Sequence, residues 1–393
     1  MLLVTEVQGP STAKVGDTVN YRVTAFNRDP YSEEERGAVN WLVKTADAGA
    51  LAHFHHVGPE LQLSVPGTWS AQAVVVMPYL HSPSTAVAVR TKVTAQPPTV
   101  GSAIVVSIER QENRYYASVD GEPAFFLGTE MAYGERRGLT NWSNPPGDRY
   151  YPDDFAPEYG DWAWYLLPTM ACESHGFYTC LNTYDRARFT FGHLQFGAHT
   201  PDDNFVRLLR ELLHLPLAAA YFPDLVLDEG RVHRLVGSAS VPLETSHSTD
   251  ALMDYLNPSA ESVDSEETDK AARFVDWCVR DPTMRELLVH FGVRHQQEKL
   301  AWHATQLPLD GLVDKLCLVV MDILHHGRGG YNSIRLALAE EEPLDALLNI
   351  GAAAYGPRIA TLRAQIRDLE ALGKAGRNVY RQATNSFEIP EAT

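Results

Sequence analysis

The segment that decides the fold begins at Ala171 and reads ACESHGFYTCLNTYDRARFTFGHLQFGAHTPDDNFVRLLRELL as far as Leu213. It follows an apolar stretch, residues 162–170, and places Glu173 shortly after that stretch. Asp185 comes twelve positions later, among aromatic and threonine residues that glycines interrupt. This pattern predicts a helix that ends near a glutamate, then a small β-hairpin that carries an aspartate, and then an amphipathic helix.

The helical period dominates the chain from about residue 162 onward. It is clearest in residues 205–213, where Asp202 and Asp203 supply the acidic residues typical of a helix N-terminus. The polar and acidic residues 240–268 predict a long surface loop or flap. Further helices, separated by proline or glycine, are predicted at residues 269–280, 283–304, 310–326, 331–340, 343–354 and 357–374.

Glu173 and Asp185 are the residue types that acid-assisted cleavage of a glycosidic bond requires. That reaction uses one protonated carboxyl beside the leaving oxygen and a second carboxylate as base or nucleophile. The apolar residues before Glu173 predict that its carboxyl stays protonated, as a general acid must. Asp185 is expected in a more solvated turn, where it stays ionised, and Thr190 is expected to hold an attacking water with it.

Both acids also have a structural explanation, because glutamate and aspartate are common residues. The glutamate could cap its helix or pair with Arg186 or Arg188, and Asp185 could simply be a turn residue. The aromatic-rich segment upstream could supply the second carboxylate instead, from Glu130 or Glu135. Residue spacing alone therefore leaves these alternatives open.

The order of features resembles the lysozyme superfamily, in which a helix ending in glutamate precedes a small hairpin and Gly-x-x-Gln. Glu173 matches the acid of that superfamily. The likeness is closer to the chitosanase branch, whose order is matched by Asp185, by Thr190 five residues later and by the aromatic and glycine residues 191–197. The spacing from Gly192 to Gln195 also resembles goose-type lysozymes and lytic transglycosylases.

The resemblance implies a mainly helical glycoside hydrolase that cleaves a β-1,4-linked amino-sugar polymer, with peptidoglycan ahead of chitosan. The gap from Glu173 to Asp185 is shorter than in chitosanases, and transglycosylases use a single glutamate, so the role of Asp185 stays open. We expect sugar contacts from the hairpin, the aromatic segment and the end of a later helix: Tyr184, His193, Gln195, Trp162, Arg328 and Asn332. For the last two, a helix C-terminus with glycine as its terminator is the favoured explanation.

Residues 1–97 alternate apolar and polar residues between turn signals, which predicts an antiparallel β-sandwich. The sequences KVGDTVNYRV and LSVPGTWSAQAVV in this part resemble bacterial Ig-like or PKD-like modules, with Trp41 as a core aromatic. Residues 96–101 predict a linker. Residues 98–160 predict a connecting segment of β-strands and irregular structure that is rich in aromatic side chains. Residues 161–393 form the predicted catalytic domain.

The formal net charge of −17 argues against a surface that binds nucleic acid through phosphates. It is compatible with a cationic polymer. No apolar run is long enough to span a bilayer, and the N-terminus lacks the features of a secretory signal. Action on cell wall would therefore need phage lysis or an injection machine for delivery, and an immunity protein is a possible partner. A non-enzymatic component of such a machine, with a degenerate lysozyme-like fold, is the rival hypothesis.

The four cysteines fit no metal-binding pattern. Cys172 and Cys180 bracket the hairpin and could form a disulfide, although four free thiols are the expectation. His53, His55 and His56 lie close together, but no carboxylate or cysteine stands nearby at ligand spacing. The sequence therefore predicts neither a metal site nor a cofactor.

Overall fold

The computed structural model describes residues 2–14, 17–30, 32–45, 50–54, 57–65, 73–81, 87–94, 103–259 and 261–390. The predicted linker at 96–101 lies outside these residues, as do His55, His56 and the side chain of His53. Helices make up 38% and strands 26% of the structure, so the fold is of mixed α+β class.

The N-terminal part contains two sheets that face a common apolar core. Its elements are β1 (Val4–Gln8), β2 (Thr12–Lys14), β3 (Thr18–Phe26), α1 (Glu33–Gly37), β4 (Asn40–Thr45), β5 (Ala50–Phe54), β6 (Glu60–Ser64), β7 (Ala73–Tyr79) and β8 (Val89–Thr94). One sheet has the order β1-β3-β6 and the other β2-β8-β7-β4-β5, and all pairs are antiparallel except β2 with β8.

Alternating burial in these strands explains why the two sheets pack together. Tyr21 on β3 and Trp41 on β4 both point into the shared core. The Tyr21 hydroxyl and the Thr91 hydroxyl on β8 are 2.6 Å apart, which joins the two sheets. Trp41 is fully buried and donates its indole N–H to the carbonyl of Gly58 at 2.8 Å. The prediction that Trp41 is a core aromatic is confirmed.

A seven-stranded antiparallel sheet runs through the middle of the chain. Its strands are β9 (Val106–Gln111), β10 (Arg114–Val119), β11 (Phe125–Tyr133), β12 (Arg136–Thr140), β13 (Leu181–Asn182), β14 (Thr190–Phe191) and β15 (Phe196–Gly197), in this spatial order. The predicted hairpin is thus the end of a larger sheet, attached where Thr140 on β12 pairs with Asn182 on β13.

Three helices lie between β12 and β13: α2 (Pro152–Tyr159), α3 (Trp162–Tyr165) and α4 (Leu167–Ser174). The prediction of a connecting β and irregular segment at residues 98–160 therefore misses helix α2. Proline at the start of α2, with Asp153 and Asp154 in its first turn, favours helix formation at that position.

The C-terminal half is mainly helical. Its elements are α5 (Asn204–Leu212), α6 (Ala218–Tyr221), β16 (Leu225–Asp228), β17 (Arg231–Val236), β18 (Ala239–Pro242), α7 (Asp250–Leu256), α8 (Ser265–Arg280), α9 (Pro282–Ala304), α10 (Asp314–His326), α11 (Tyr331–Leu338), α12 (Pro343–Asn349), α13 (Ala352–Ala371), β19 (Val379–Arg381) and β20 (Ser386–Glu388). The predicted helices are confirmed within a few residues at their ends. The α13 range bends at Tyr355, which has non-helical dihedral angles two residues before Pro357.

The prediction of a long loop at residues 240–268 is wrong. This stretch contains most of β18, all of α7 and the start of α8. Leu252 and Leu256, one helical turn apart on α7, are fully buried and anchor the helix to the core. A helix of only seven residues gives too weak a periodic signal to stand out among its polar and acidic neighbours.

Helices α3 and α4 lie where two hydrophobic cores meet. Leu166 and Met170 belong to the core that contains the seven-stranded sheet, whereas Tyr165 belongs to the core of the C-terminal helices. All four cysteines are free thiols, as expected. Within the described residues, no helix combines the length and apolarity needed to cross a membrane.

Candidate functional site

Helix α4 places Glu173 next to its C-terminal end. Pro168 starts the helix, Met170 and Ser174 are buried, and His175 ends it with the left-handed φ of 53°. The Ser174 hydroxyl donates to the carbonyl of His193 at 2.7 Å. This bond ties the end of α4 to the turn between β14 and β15, so the glutamate is held beside the short strands.

Glu173 belongs to a buried network of ion pairs. Arg358 on α13 places its Nη2 atom 2.8 Å from Oε1 of Glu173 and 2.6 Å from Oδ1 of Asp322 on α10. Asp322 also pairs with Arg328, and neither of these two side chains has any exposed surface. His325 completes the surroundings of Glu173, with its Nε2 atom 3.7 Å from Oε1. The network thus joins α4, α10 and α13.

The surroundings of Glu173 differ from the expected apolar ones. Its side chain is 16% exposed and lies against the guanidinium of Arg358 and the imidazole of His325. The expected alternative pairing of Glu173 with Arg186 or Arg188 is also wrong. The arginine that pairs with Glu173 is Arg358, which lies 185 positions further along the chain. Removing either partner of such a buried ion pair lowers stability, because the remaining partner becomes an uncompensated buried charge.

Asp185 lies in the turn that follows β13 and is partly buried there. Its Oδ1 atom accepts from the backbone N–H of Ala187 at 2.7 Å, and its Oδ2 atom accepts from Nδ2 of Asn182 at 3.1 Å. Burial raises the pKa of Asp185, and the Ala187 N–H and nearby positive charges only partly oppose it. The expectation of a solvated, readily ionised aspartate is therefore wrong, although the aspartate does occupy a turn.

Thr190 and Asp185 are connected through Asn182. In the pairing of β13 with β14, Asn182 lies opposite Thr190, and the same asparagine donates to Asp185. Thr190 also lies opposite Gly197 on β15 and is only 7% exposed. Asn182 therefore links the turn of Asp185 to the strand of Thr190, and the bond from Ser174 to His193 links the end of α4 to the turn between β14 and β15. The carboxylate of Glu173 itself faces Arg358 and His325.

Helices α7 and α8 anchor the turn that carries Asp185. Glu267 on α8 accepts from the Thr183 hydroxyl and, at 3.1 Å, from the backbone N–H of Leu139. Asn257, just after α7, donates to the carbonyls of Thr183 at 2.9 Å and Arg188 at 3.2 Å. Burial raises the pKa of Glu267 to about 8. A protonated, uncharged carboxyl thus supports the turn at neutral pH.

Gln195 and His193 support the turn between β14 and β15. Gln195 donates from Nε2 to the carbonyls of Cys180 and Gly192, both at 2.9 Å. His193 is fully buried against the ring of Tyr150, and burial lowers its pKa to about 3. The expectation that His193 contacts a sugar is wrong, because no part of His193 is exposed to solvent. The side-chain amide N–H groups of Gln195 are engaged in hydrogen bonds to these two backbone carbonyls.

Tyr184 and Trp162 are two further expected sugar contacts. Tyr184 is half-buried beside Asp185. Trp162 packs edge-on against Tyr165 and Phe387, on the side of α3 that faces the C-terminal helices.

Arg328 and Asn332 have roles other than the expected sugar contacts. The side chain of Arg328 is fully buried in the ion-pair network, so the expectation that it lines a cleft is wrong. Asn332 is exposed on α11, where it accepts from Arg335. Gly327 ends α10 with a left-handed φ of 76°, which confirms the alternative of a helix C-terminus.

Neither upstream glutamate is placed to replace Asp185. Glu130 on β11 is paired with Arg110 at 3.1 Å and with Arg137 at 3.6 Å. Glu135 is exposed in the turn between β11 and β12. Among the residues that the structure describes, no group of three or more histidine, cysteine or acidic side chains is arranged to hold a metal ion.

Four residues of the site were not predicted from the sequence: Asp322, His325, Arg358 and Glu267. Asp322 had a usable signal, because it is the single charge within the apolar run of α10 and such a residue needs a buried partner. Arg358 and Glu267 are far from the hairpin in sequence and lie on ordinary amphipathic helices. Only the folded chain shows that they reach it.

Comparison with protein-family models, with curated proteins and with solved structures found no match for this chain. The functional argument therefore depends on the residues and their geometry.

Proposed function

We propose that the protein is a glycoside hydrolase that cleaves β-1,4 bonds in an amino-sugar polymer, with bacterial peptidoglycan as the first candidate substrate. One observation supports the proposal: the last turn of α4, which carries Glu173, is tied to the short strands, and Asn182 on those strands lies opposite Thr190 and donates to Asp185. The proposal joins this arrangement to the resemblance of the same residues to the lysozyme superfamily.

In the proposed reaction Glu173 donates a proton to the leaving oxygen. Before that step its carboxylate must take up a proton and lose its pairing with Arg358. Asp322 binds the same guanidinium at 2.6 Å, so Arg358 keeps one acceptor when the Glu173 side chain turns toward a substrate. Asp322 is then shared by Arg358 and Arg328, and the network carries one excess positive charge until Glu173 is ionised again.

Asp185 and Thr190 would act on the water that completes hydrolysis. Asp185 accepts bonds from Ala187 and Asn182, and its remaining lone pairs could orient a water molecule. Because the pKa of Asp185 is raised, its ionised carboxylate is a stronger base than that of a solvated aspartate. A mechanism in which Glu173 acts alone, as in lytic transglycosylases, assigns Asp185 only a structural role in its turn.

The test compares the wild type with Glu173→Gln and Asp185→Asn on two polymers. Clearing of purified peptidoglycan suspensions and release of reducing ends from chitosan are measured side by side. We expect Glu173→Gln to lower the rate at least about 100-fold, the range of general-acid catalysis. The exposed residue Glu340 supplies a matched control, since Glu340→Gln removes a charge from the surface only.

The response of Asp185→Asn separates the two mechanisms. A loss comparable to that of Glu173→Gln supports a two-carboxylate hydrolase. If the aspartate variant keeps most activity and the products carry anhydro ends, a single-acid lyase is supported. Equal behaviour of the wild type and both variants on both polymers would contradict the enzymatic proposal and favour a non-catalytic docking protein.

Chitosan is the second candidate substrate, and the charge of the chain favours it. A net charge of −17 attracts a cationic polymer over a distance of about one Debye length. The order of Asp185 and Thr190, which resembles the chitosanase branch, points the same way. The paired assay above decides between the two polymers.

A further inference from the structure

The seven-stranded sheet has one side packed on the core and one side turned away from it. Four residues lie opposite one another on β11, β12, β13 and β14: Thr129, Thr140, Asn182 and Thr190. Residues that pair directly across strands point to the same side of a sheet, so these four form one row. Their chain neighbours Leu139 and Leu181 are fully buried in the core. The row therefore lies on the side that points away from this core, the outer face.

The turn that carries Asp185 adjoins the outer face. Asn182, a member of the row, donates to Oδ2 of Asp185 at 3.1 Å. Arg136 lies four positions before Thr140 on β12, so it belongs to the same face. It donates from Nη1 to the backbone carbonyl of Asp185 at 3.1 Å. The outer face is thus continuous with the turn of the candidate aspartate.

Three large apolar side chains are exposed on the outer face or beside it. Met131 and Tyr133 follow Thr129 at alternate positions of β11, and they are 43% and 65% exposed. Trp142 comes just after β12 and is 47% exposed. Its backbone N–H donates to the Thr140 hydroxyl at 3.3 Å, which keeps it beside the row. Exposed apolar side chains that cluster in this way are typical of a binding surface.

Trp142 also contacts the end of α4. Its ring lies 4.3 Å from the ring of His175, the residue that ends this helix. Glu173 is two positions before His175 in the chain. A ring that is already packed on one side loses less conformational entropy when a ligand covers its other side. Trp142 is therefore suited to bind a ligand between the outer face and the end of α4.

The mixture of flat rings and polar side chains matches the chemistry of a sugar chain. A β-1,4-linked amino sugar has C–H groups on its flat faces, which aromatic rings can cover, and hydroxyl and amide groups along its edge. Threonine, asparagine and arginine side chains of the outer face supply donors and acceptors for that edge.

The two exposed rings stand near opposite ends of one stretch of β12. Tyr133 pairs with Arg136, and Trp142 donates to Thr140. Arg136 and Thr140 are four positions apart, a distance of about 13 Å along the strand. One sugar does not cover that distance, whereas several consecutive sugars do.

We propose that the outer face binds several consecutive sugars of a β-1,4-linked amino-sugar chain, with Trp142 and Tyr133 stacking on sugar rings. The choice of an amino sugar rests on the proposed function, whereas the choice of a ligand with flat apolar faces rests on the sheet alone. The acetylated chain and its deacetylated, cationic form share this chemistry, and the experiment distinguishes them.

The experiment measures binding to the full chain carrying Glu173→Gln, so that no cleavage interferes. The probes are N-acetylchitotetraose, its deacetylated form chitotetraose, and the single sugar N-acetylglucosamine. Isothermal titration calorimetry gives the dissociation constants. We expect at least one tetramer to bind at least about 10-fold more tightly than the single sugar, because only a chain can contact both rings. The tighter tetramer shows whether the acetylated or the cationic chain is preferred.

Variants locate the binding. Trp142→Ala and Tyr133→Ala should each weaken the binding of the preferred tetramer about 3- to 10-fold, whereas Tyr133→Phe keeps the ring and should stay within about 2-fold of the parent. Tyr133 is mostly exposed, so its variants remain informative if Trp142→Ala disturbs the end of α4. Trp302→Ala is the matched control, because Trp302 is 63% exposed on α9 and should not affect binding.

Absence of tetramer binding, or binding that neither alanine variant weakens, would overturn the proposal. A dimer in sedimentation that Tyr133→Ala abolishes, without any saccharide binding, would overturn it too and assign the outer face to a second copy of the chain.

The two proposals fail in different ways. Cleavage of a polymer together with tetramer binding that does not depend on Trp142 or Tyr133 contradicts only the assignment of the outer face. Tetramer binding that depends on these rings, in a wild type that cleaves neither polymer, contradicts only the glycoside hydrolase.

Discussion

Arg358 contacts both Glu173 and Asp322, so the position of the candidate acid depends on it more directly than on any neighbour in sequence. Replacing it by glutamine would remove the guanidinium that Glu173 and Asp322 share, so that Asp322 would keep Arg328 and Glu173 would lose its arginine. We expect Arg358→Gln to lower the free energy of unfolding by about 3–5 kcal/mol. The control is Arg363→Gln on the same helix, whose exposed pair with Asp345 should contribute less than about 1 kcal/mol.

Urea unfolding of both variants measures these differences. A loss for Arg358→Gln no larger than that for Arg363→Gln would show that the network is not a stabilising unit. Arg358→Lys keeps the charge but cannot bridge two carboxylates as a planar guanidinium does. We expect it to recover only part of the stability.

Glu267 gives a second prediction at the scale of a residue, through the pH dependence of stability. Burial raises its pKa from 4.5 to about 8, so the folded state binds its proton more tightly than the unfolded state does. Its contribution to stability is therefore full below pH 4.5 and is lost as the pH rises from 4.5 to about 8. Glutamine cannot titrate, and so Glu267→Gln should remove this dependence.

The measurement is urea unfolding of the wild type and Glu267→Gln at pH 5 and pH 9. Relative to the variant, the wild type should lose on the order of 2–4 kcal/mol between the two pH values. A difference between the two proteins that stays constant with pH would contradict the assignment of a neutral Glu267 beneath the turn of Asp185.

At the scale of an element, Gly138 controls how closely β12 approaches the turn that carries Asp185. A Cβ atom at Gly138 would lie 2.6 Å from the Thr183 hydroxyl and 2.7 Å from the backbone N of Tyr184. Backbone cannot give way as a flexible side chain can, so Gly138→Ala should destabilise the fold by about 1–3 kcal/mol. Thermal unfolding and the activity assay measure the consequence.

The control for this prediction is Gly37→Ala, because a Cβ atom at Gly37 meets no atom within 4 Å. It should leave both stability and activity nearly unchanged. If Gly138→Ala also leaves both unchanged, the contact between β12 and the turn does not position the candidate aspartate.

The sequence is a good guide to the elements whose signal is local. The helical period of residues 205–213 and the position of Asp203 at the N-terminus of that helix are confirmed, as are the helices from 265 onward. The attachment of the hairpin to β12 was not predicted, because the pairing of Thr140 with Asn182 is non-local and β13 has only two residues. Strands that short carry no alternation that could be recognised.

The candidate site shows the same division between local and distant information. Glu173 at the end of a helix and Asp185 in a turn follow from the local pattern. Their electrostatic surroundings do not, because Arg358 and Glu267 come from helices far along the chain. Both environments were consequently predicted with the wrong character, apolar for the glutamate and solvated for the aspartate.

At the scale of the whole molecule, the net charge of −17 should affect how the protein meets a charged polymer. If chitosan is a substrate, its attraction to the acidic chain is screened by salt. We expect KM for chitosan to rise several-fold between about 0.05 M and about 0.5 M NaCl while kcat changes little. A KM that does not change with salt would show that the overall charge plays no part in substrate capture.

The central claim is that Glu173 is the catalytic acid of a glycoside hydrolase, and the most direct test is the rate of bond cleavage by Glu173→Gln beside the wild type. Release of reducing ends is followed on peptidoglycan and on chitosan, with circular dichroism to show that both proteins are folded. The account predicts that the wild type cleaves at least one of the polymers and that Glu173→Gln is slower by at least about 100-fold. A folded Glu173→Gln protein that cleaves as fast as the wild type, or a wild type that cleaves neither polymer, would contradict it.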